Sequence, residues 1–120
     1  MLTVVRCLYR PGGADARLHI RDAHVEYMIA SRSVLEQGGA LLGADGAVAG
    51  MFLVLRHDSR DRVDAFLAAE PYTRAGLFET TTIETFDRFV PHADPQFLEK
   101  LLVAARDWIA RHGKRLRASG

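Results

Sequence analysis

Residues 40–56 read ALLGADGAVAGMFLVLR, and this stretch decides the fold. Asp45-Gly46 in its middle is a strong hairpin-turn signal, because both residues accept the left-handed backbone that a tight turn between strands requires. The arms on either side, Ala40–Ala44 and Ala47–Arg56, are short and apolar and read as paired antiparallel strands. Along the returning arm Met51, Leu53 and Leu55 alternate with Phe52 and Val54, so both faces of this strand are apolar. Such a strand belongs inside a sheet that is covered on both sides.

Working outward, Leu2–Tyr9 is rich in Val and Leu and runs into Pro11-Gly12-Gly13, a strand followed by a turn. From Ala14 to Gln37 there is neither Pro nor Gly. This predicts a long first helix, capped by Asp15 and ended by Gly38-Gly39. On the other side of the hairpin, Asp58 or Ser59 can cap a second helix to Ala69, with Val63, Phe66 and Leu67 facing inward. Glu70-Pro71 breaks it. Leu77–Phe89, rich in Thr, Ile and Phe, reads as a strand. Asp94-Pro95 opens a last helix whose apolar stripe is Phe97, Leu98, Leu101, Leu102, Ala105, Trp108 and Ile109.

The resulting order is β-α-β-β-α-β plus a C-terminal helix. It defines an α+β, ferredoxin-like fold, two helices covering one face of an antiparallel sheet. The expectation is a single domain over residues 1–113 and a basic, flexible tail over 114–120. The other sheet face needs cover as well. The last helix, anchored by Phe97, Leu101 and a buried Trp108, supplies part of it, and a second subunit the rest, so a homodimer is expected.

The chain has 120 residues, 48% hydrophobic and 26% charged, with formal net charge +1. That is a globular composition long enough to bury a core without staples. A nearly neutral chain carries no electrostatic footprint for nucleic acid, and the strands lack an RNA-binding aromatic signature. The lone cysteine, Cys7, excludes an intrachain disulfide and lies in an apolar run where an inert thiol is expected. No apolar run reaches the ~18 residues of a membrane span. A cytoplasmic location is expected by default.

Arg17, Arg21, His24 and Met28 are spaced i, i+4, i+7 and i+11. On one helix they would fall within an arc of about 60°. Arg21 and His24, three apart, would be neighbours. The guanidinium would disfavour the imidazolium and favour a neutral base. Glu70-Pro71-Tyr72-Thr73-Arg74-Ala75-Gly76 reads as a shaped turn that begins with a carboxylate. His19, His57, His92 and His112 lack metal-ligand spacing, and no metal or cofactor is expected. There is no GxGxxG, Walker or Gly-x-Ser-x-Gly pattern.

Taken in order, Arg17-x-x-x-Arg21-x-x-His24-x-x-Tyr27, Gly38-Gly39-Ala40-Leu41-Leu42, Gly50 and Glu70-Pro71-Tyr72 through Ala75-Gly76-Leu77 resemble the YCII-related (YciI-like) domain over about residues 2–90. The resemblance implies a ferredoxin-like dimer with sheets packed on each other and a pocket holding a histidine and an acid. The histidine maps to His24. The acid maps to Glu70, where the family usually carries aspartate. Arg21 matches an arginine three residues before the histidine in a dehydrochlorinase-type member. The functional expectation is a small-molecule enzyme of lyase or isomerase type. His24 and Glu70 would form the acid/base pair, and Arg21, Arg17 and Tyr72 would bind substrate. The alternative is a non-catalytic dimeric binding or accessory module.

Overall fold

The computed structural model describes residues 1–113, 115 and 116. The expected tail therefore lies, apart from Arg115 and Leu116, outside the described residues. Two compact units are described, Met1–Asp87 and a second beginning at Arg88.

The first unit contains β1 (Leu2–Tyr9), α1 (Gly13–Ala16), a 3-10 turn (Arg17–His19), α2 (Arg21–Ala30), β2 (Leu35–Leu42), β3 (Val48–Leu55), α3 (Arg60–Ala69), α4 (Pro71–Arg74) and β4 (Phe78–Phe86). The four strands form one antiparallel sheet in the order β2-β3-β1-β4. This is the ferredoxin-like α+β arrangement that the element order implied. The β2–β3 hairpin closes as expected. Gly46 takes φ 82°, and the Asp45 carboxylate accepts the Ala47 amide at 3.0 Å.

β1 and β3 pair closely, Cys7 opposite Met51 and Leu8 opposite Gly50. A Cβ on Gly50 would stand 2.2 Å from the Cys7 carbonyl, so only glycine permits that approach. One sheet face meets the helices. Val5, Cys7, Met51, Leu53 and Leu55 pack there against Val63, Phe66 and Leu67 of α3, with Tyr27 and Met28 of α2 at the margin. Burying each large aliphatic or aromatic side chain in this cluster stabilises the fold by ~1.5–3 kcal/mol. Register places Val4, Phe52 and Val54 on the other face.

Two local expectations are corrected. The first helix is not continuous. It is interrupted at Ile20 (φ −132°), after the 3-10 turn, and ends at Ala30. Second, Gly38-Gly39 does not end a helix but lies inside β2, paired with Leu53 and Phe52. Absence of Pro and Gly permitted a helix from 14 to 37, but pairing with the apolar β3 recruited Leu35–Gln37 into the sheet. Glu70-Pro71 ends α3 as expected, and it also starts α4. Ser59 caps α3 as expected, its side chain accepting the Arg62 amide at 3.2 Å.

In the second unit, α5 spans Phe97–His112. The Asp94 carboxylate accepts the Gln96 amide at 2.9 Å and the Lys100 ammonium at 2.6 Å at the helix start. No residue of α5 is buried. Trp108, expected as a buried anchor, is 59% exposed and stacks on the His112 ring at 4.3 Å. Phe97 stacks on His92 at 3.8 Å. A single helix with a short leading loop has no second surface of its own on which to bury a stripe.

Candidate active site

The site is built around Glu70. Its backbone ends α3 in an extended conformation, and its side chain caps α4, accepting the amides of Tyr72 at 3.1 Å and Thr73 at 2.9 Å. Proline in the first turn suits this role, because its missing N–H would have had no partner there. The Thr73 hydroxyl donates a further bond at 3.1 Å. Glu70 is 0% exposed, which for a carboxylate demands such partners. The fourth comes from α2, where His24 Nδ1 lies 2.7 Å from Glu70 Oε1.

Burial by itself would raise the Glu70 carboxyl pKa. The His24 hydrogen bond and the amides of Thr73 and Tyr72 outweigh it and hold the group below the usual carboxylate value. Glu70 is therefore ionised at neutral pH and acts as acceptor, so Nδ1–H of His24 donates. In the neutral ring this leaves Nε2 with a lone pair. The imidazole is held a second time by Tyr72, whose ring stacks on it at 4.0 Å and 9°. Tyr72 is packed in turn edge-on against Tyr9 and Phe78, with ring centroids 6.1 and 6.3 Å away.

His24 forms part of the wall of a cleft of about 220 Å³ that Tyr9, Arg17, Arg21 and Tyr72 also line. Arg17 comes from the 3-10 turn and Arg21 opens α2, so the break at Ile20 separates them without removing either from the cleft. The Arg17 guanidinium donates to the Ala14 carbonyl. Burial raises the Tyr72 phenol pKa, and Arg17 and Arg21 oppose the shift. Tyr9 is pushed up to about 12 by burial and then by Tyr72, against Arg17. Both phenols thus remain neutral hydroxyls beside two cations. A second cleft, of about 340 Å³, shares His24 and includes Met28 in its wall.

The structure brings together all five residues singled out in the sequence: His24, Glu70, Arg21, Arg17 and Tyr72. The role read for Tyr72 changes in part. It is 3% exposed and its ring face is occupied by His24. Two members escaped the sequence reading. Tyr9 continues the inward alternation of Thr3, Val5 and Cys7, a signal that was available. Thr73 had no distinguishing signal beyond its place three residues after the capping carboxylate.

Cys7 is buried, and burial raises its thiol pKa against the Thr81 hydroxyl, with Glu70 raising it further. Among the described residues no group of three or more His, Cys, Asp or Glu side chains is set to hold a metal. Among them, too, no helix is long and apolar enough to cross a membrane.

The chain belongs to the YCII-related domain family, whose model matches residues 1–87. Among solved structures it is similar to the 5-chloro-2-hydroxyhydroquinone dehydrochlorinase of Burkholderia phenoliruptrix AC1100, determined in complex with 2,5-dihydroxybenzoquinone. The two share 32% identity with a TM-score of 0.69, over 73% of this chain and 95% of that one. More distant likenesses include an antibiotic biosynthesis monooxygenase (17% identity, TM-score 0.46, 73% of this chain and 98% of that one). A NIPSNAP domain protein of Burkholderia xenovorans is similarly distant (18% identity, TM-score 0.43, 77% and 100%). No curated protein matches the chain.

Proposed function

We propose that the protein is an enzyme that moves a proton on a small anionic cyclic enol or phenol, driving elimination or isomerisation. One observation carries the proposal: the 2.7 Å contact between His24 Nδ1 and a fully buried, ionised Glu70. It reserves Nε2 as the proton-transferring atom and stabilises the imidazolium formed when Nε2 takes a proton. Stacking on Tyr72 limits rotation of the ring. Arg21 and Arg17, lining the same cleft, hold the substrate oxyanion and the negative charge that develops as the proton leaves. Return of the proton from Nε2 to another substrate atom gives isomerisation. Departure of a leaving group from the neighbouring carbon gives elimination. The likeness to a dehydrochlorinase supports the second outcome.

The working assembly is a homodimer, with the sheet face that carries Val4, Phe52 and Val54 turned toward its partner. The support is Val4 and Phe52, apolar and only half-buried on that face beside Val54, which is already buried, in a sheet whose other face packs on helices.

The test uses 5-chloro-2-hydroxyhydroquinone as substrate, chloride release as readout and 2,5-dihydroxybenzoquinone as a coloured ligand. Wild type releases chloride. His24→Gln loses ~10²–10⁴-fold of that rate, the usual share of a general acid/base. Arg21→Gln weakens binding of the quinone by roughly tenfold or more, as loss of a hydrogen bond to a charged partner does. Binding without turnover would leave a ligand-binding module instead of an enzyme. Neither binding nor turnover would remove the reading.

A further inference from the structure

The two clefts that meet at His24 differ in chemistry. The one toward Arg17, Arg21, Tyr9 and Tyr72 carries two guanidinium groups and two phenols. The other, lined by Met28, Leu35, Gly38, Met51 and Leu53, is largely apolar and is the larger, at about 340 Å³ against about 220 Å³. Its origin is local. β2 is an edge strand, and its pairing places Gly38 beside Leu53 and Ala40 beside Met51, on the face toward the helices. Gly38 lines this cleft without a side chain to reach across it toward α2, although Leu53 Cδ2 already crowds its Cβ position, and Ala40 lines the cationic cleft instead. Small-molecule sites usually span ~300–1,000 Å³. The cationic cleft alone falls below that range, and the apolar cleft reaches it.

We infer that the substrate is bipartite: an oxyanion-bearing ring in the cationic cleft at His24, and an apolar substituent of several carbons lying over Gly38 between Met28 and Leu53. The inference rests on the proton-transfer reading for the placement of the ring and adds the class of substrate. Most of the second cleft's side-chain lining is apolar (Met28, Leu35, Met51 and Leu53); its polar members are His24, Gln37 and Glu36, and the Glu36 carboxylate would disfavour an anionic arm. Glu36 is engaged by the Arg56 guanidinium at 2.6 Å. His24 sits at the junction, so a ring atom next to the substituent is the one presented to Nε2.

The experiment measures Kd for 2,5-dihydroxybenzoquinone and for its 3-alkyl derivatives with straight chains of one to five carbons. In wild type Kd should fall about fourfold for each methylene added, the gain for burying a CH₂. In Gly38→Leu, whose side chain would fill the cleft floor, that dependence on length should vanish. Met28→Phe narrows the same cleft from α2 and serves where Gly38→Leu, whose Cβ would meet Leu53 Cδ2 at 2.9 Å, fails to fold. Binding of the parent quinone with no dependence on chain length would overturn the bipartite substrate and leave the proton-transfer reading standing. A dependence that persists in both variants would overturn it too, by placing the chain elsewhere. Failure of the parent and of every derivative to bind would overturn both.

Discussion

Replacing Glu70 by alanine should be among the most damaging single changes in the first unit. The side chain is fully buried and accepts four hydrogen bonds, from His24 Nδ1 at 2.7 Å, the Tyr72 amide at 3.1 Å, the Thr73 amide at 2.9 Å and the Thr73 hydroxyl at 3.1 Å. Loss of the α4 cap by itself costs ~1 kcal/mol. Each buried donor left unsatisfied costs ~1–3 kcal/mol. These contributions overlap, since the two amides are the capped ones. Taken together, and allowing for that overlap, the donors left without a partner set a cost of roughly 3 kcal/mol or more. At ~4–8 °C per kcal/mol for a unit of this size, Tm should fall by more than ~10 °C. Glu70→Gln keeps the shape and one carbonyl acceptor but loses the charge, and should cost less, about 1–3 kcal/mol. Urea denaturation followed by circular dichroism measures both. A cost below ~1 kcal/mol for Glu70→Ala would refute the claim that this carboxylate organises the site.

Three further outcomes are expected. The Glu70 carboxyl pKa is lower in the folded chain than its ordinary value of 4.5, so its contribution to stability is fully present above that value. It is lost as pH falls through the folded value, and Glu70→Gln should flatten this part of a stability–pH curve. Trp108→Ala should change stability by no more than ~0.5 kcal/mol, as exposed substitutions do, because Trp108 is 59% exposed; a cost of several kcal/mol would show a cover on that residue. Light scattering should give a dimer at micromolar concentration, and a monomer would contradict the proposed assembly.

Much of the fold was legible because it depends on local signals. Asp45-Gly46 specified the hairpin, alternation along Met51–Leu55 placed β3 inside the sheet, and Ser59 marked the start of α3. What was misread depended on partners distant in sequence. Leu35–Gln37 joined β2 because β3 offered an apolar strand to pair with, and no local preference of those residues announces it. The apolar stripe of α5 was correctly seen as a stripe, but periodicity shows only that a face is apolar, not what covers it. At the site, His24 and Glu70 were singled out from the order of short motifs. Their contact follows only from α2 and α4 lying side by side, and the two residues are 46 apart in sequence. Tyr72 was read as a substrate contact along with the Glu70-Pro71-Tyr72 motif; its stacking on His24 depends on that same juxtaposition.

The central claim is that a buried, ionised Glu70 fixes the proton of neutral His24 on Nδ1 and leaves Nε2 free to transfer one. Long-range ¹H–¹⁵N correlation spectra of the His24 ring, recorded where the imidazole is neutral, test it directly. The account predicts a protonated Nδ1 and a bare Nε2 in wild type, with the preference lost or inverted in Glu70→Gln. A neutral ring protonated on Nε2 in wild type, or the same spectrum in both proteins, would contradict it.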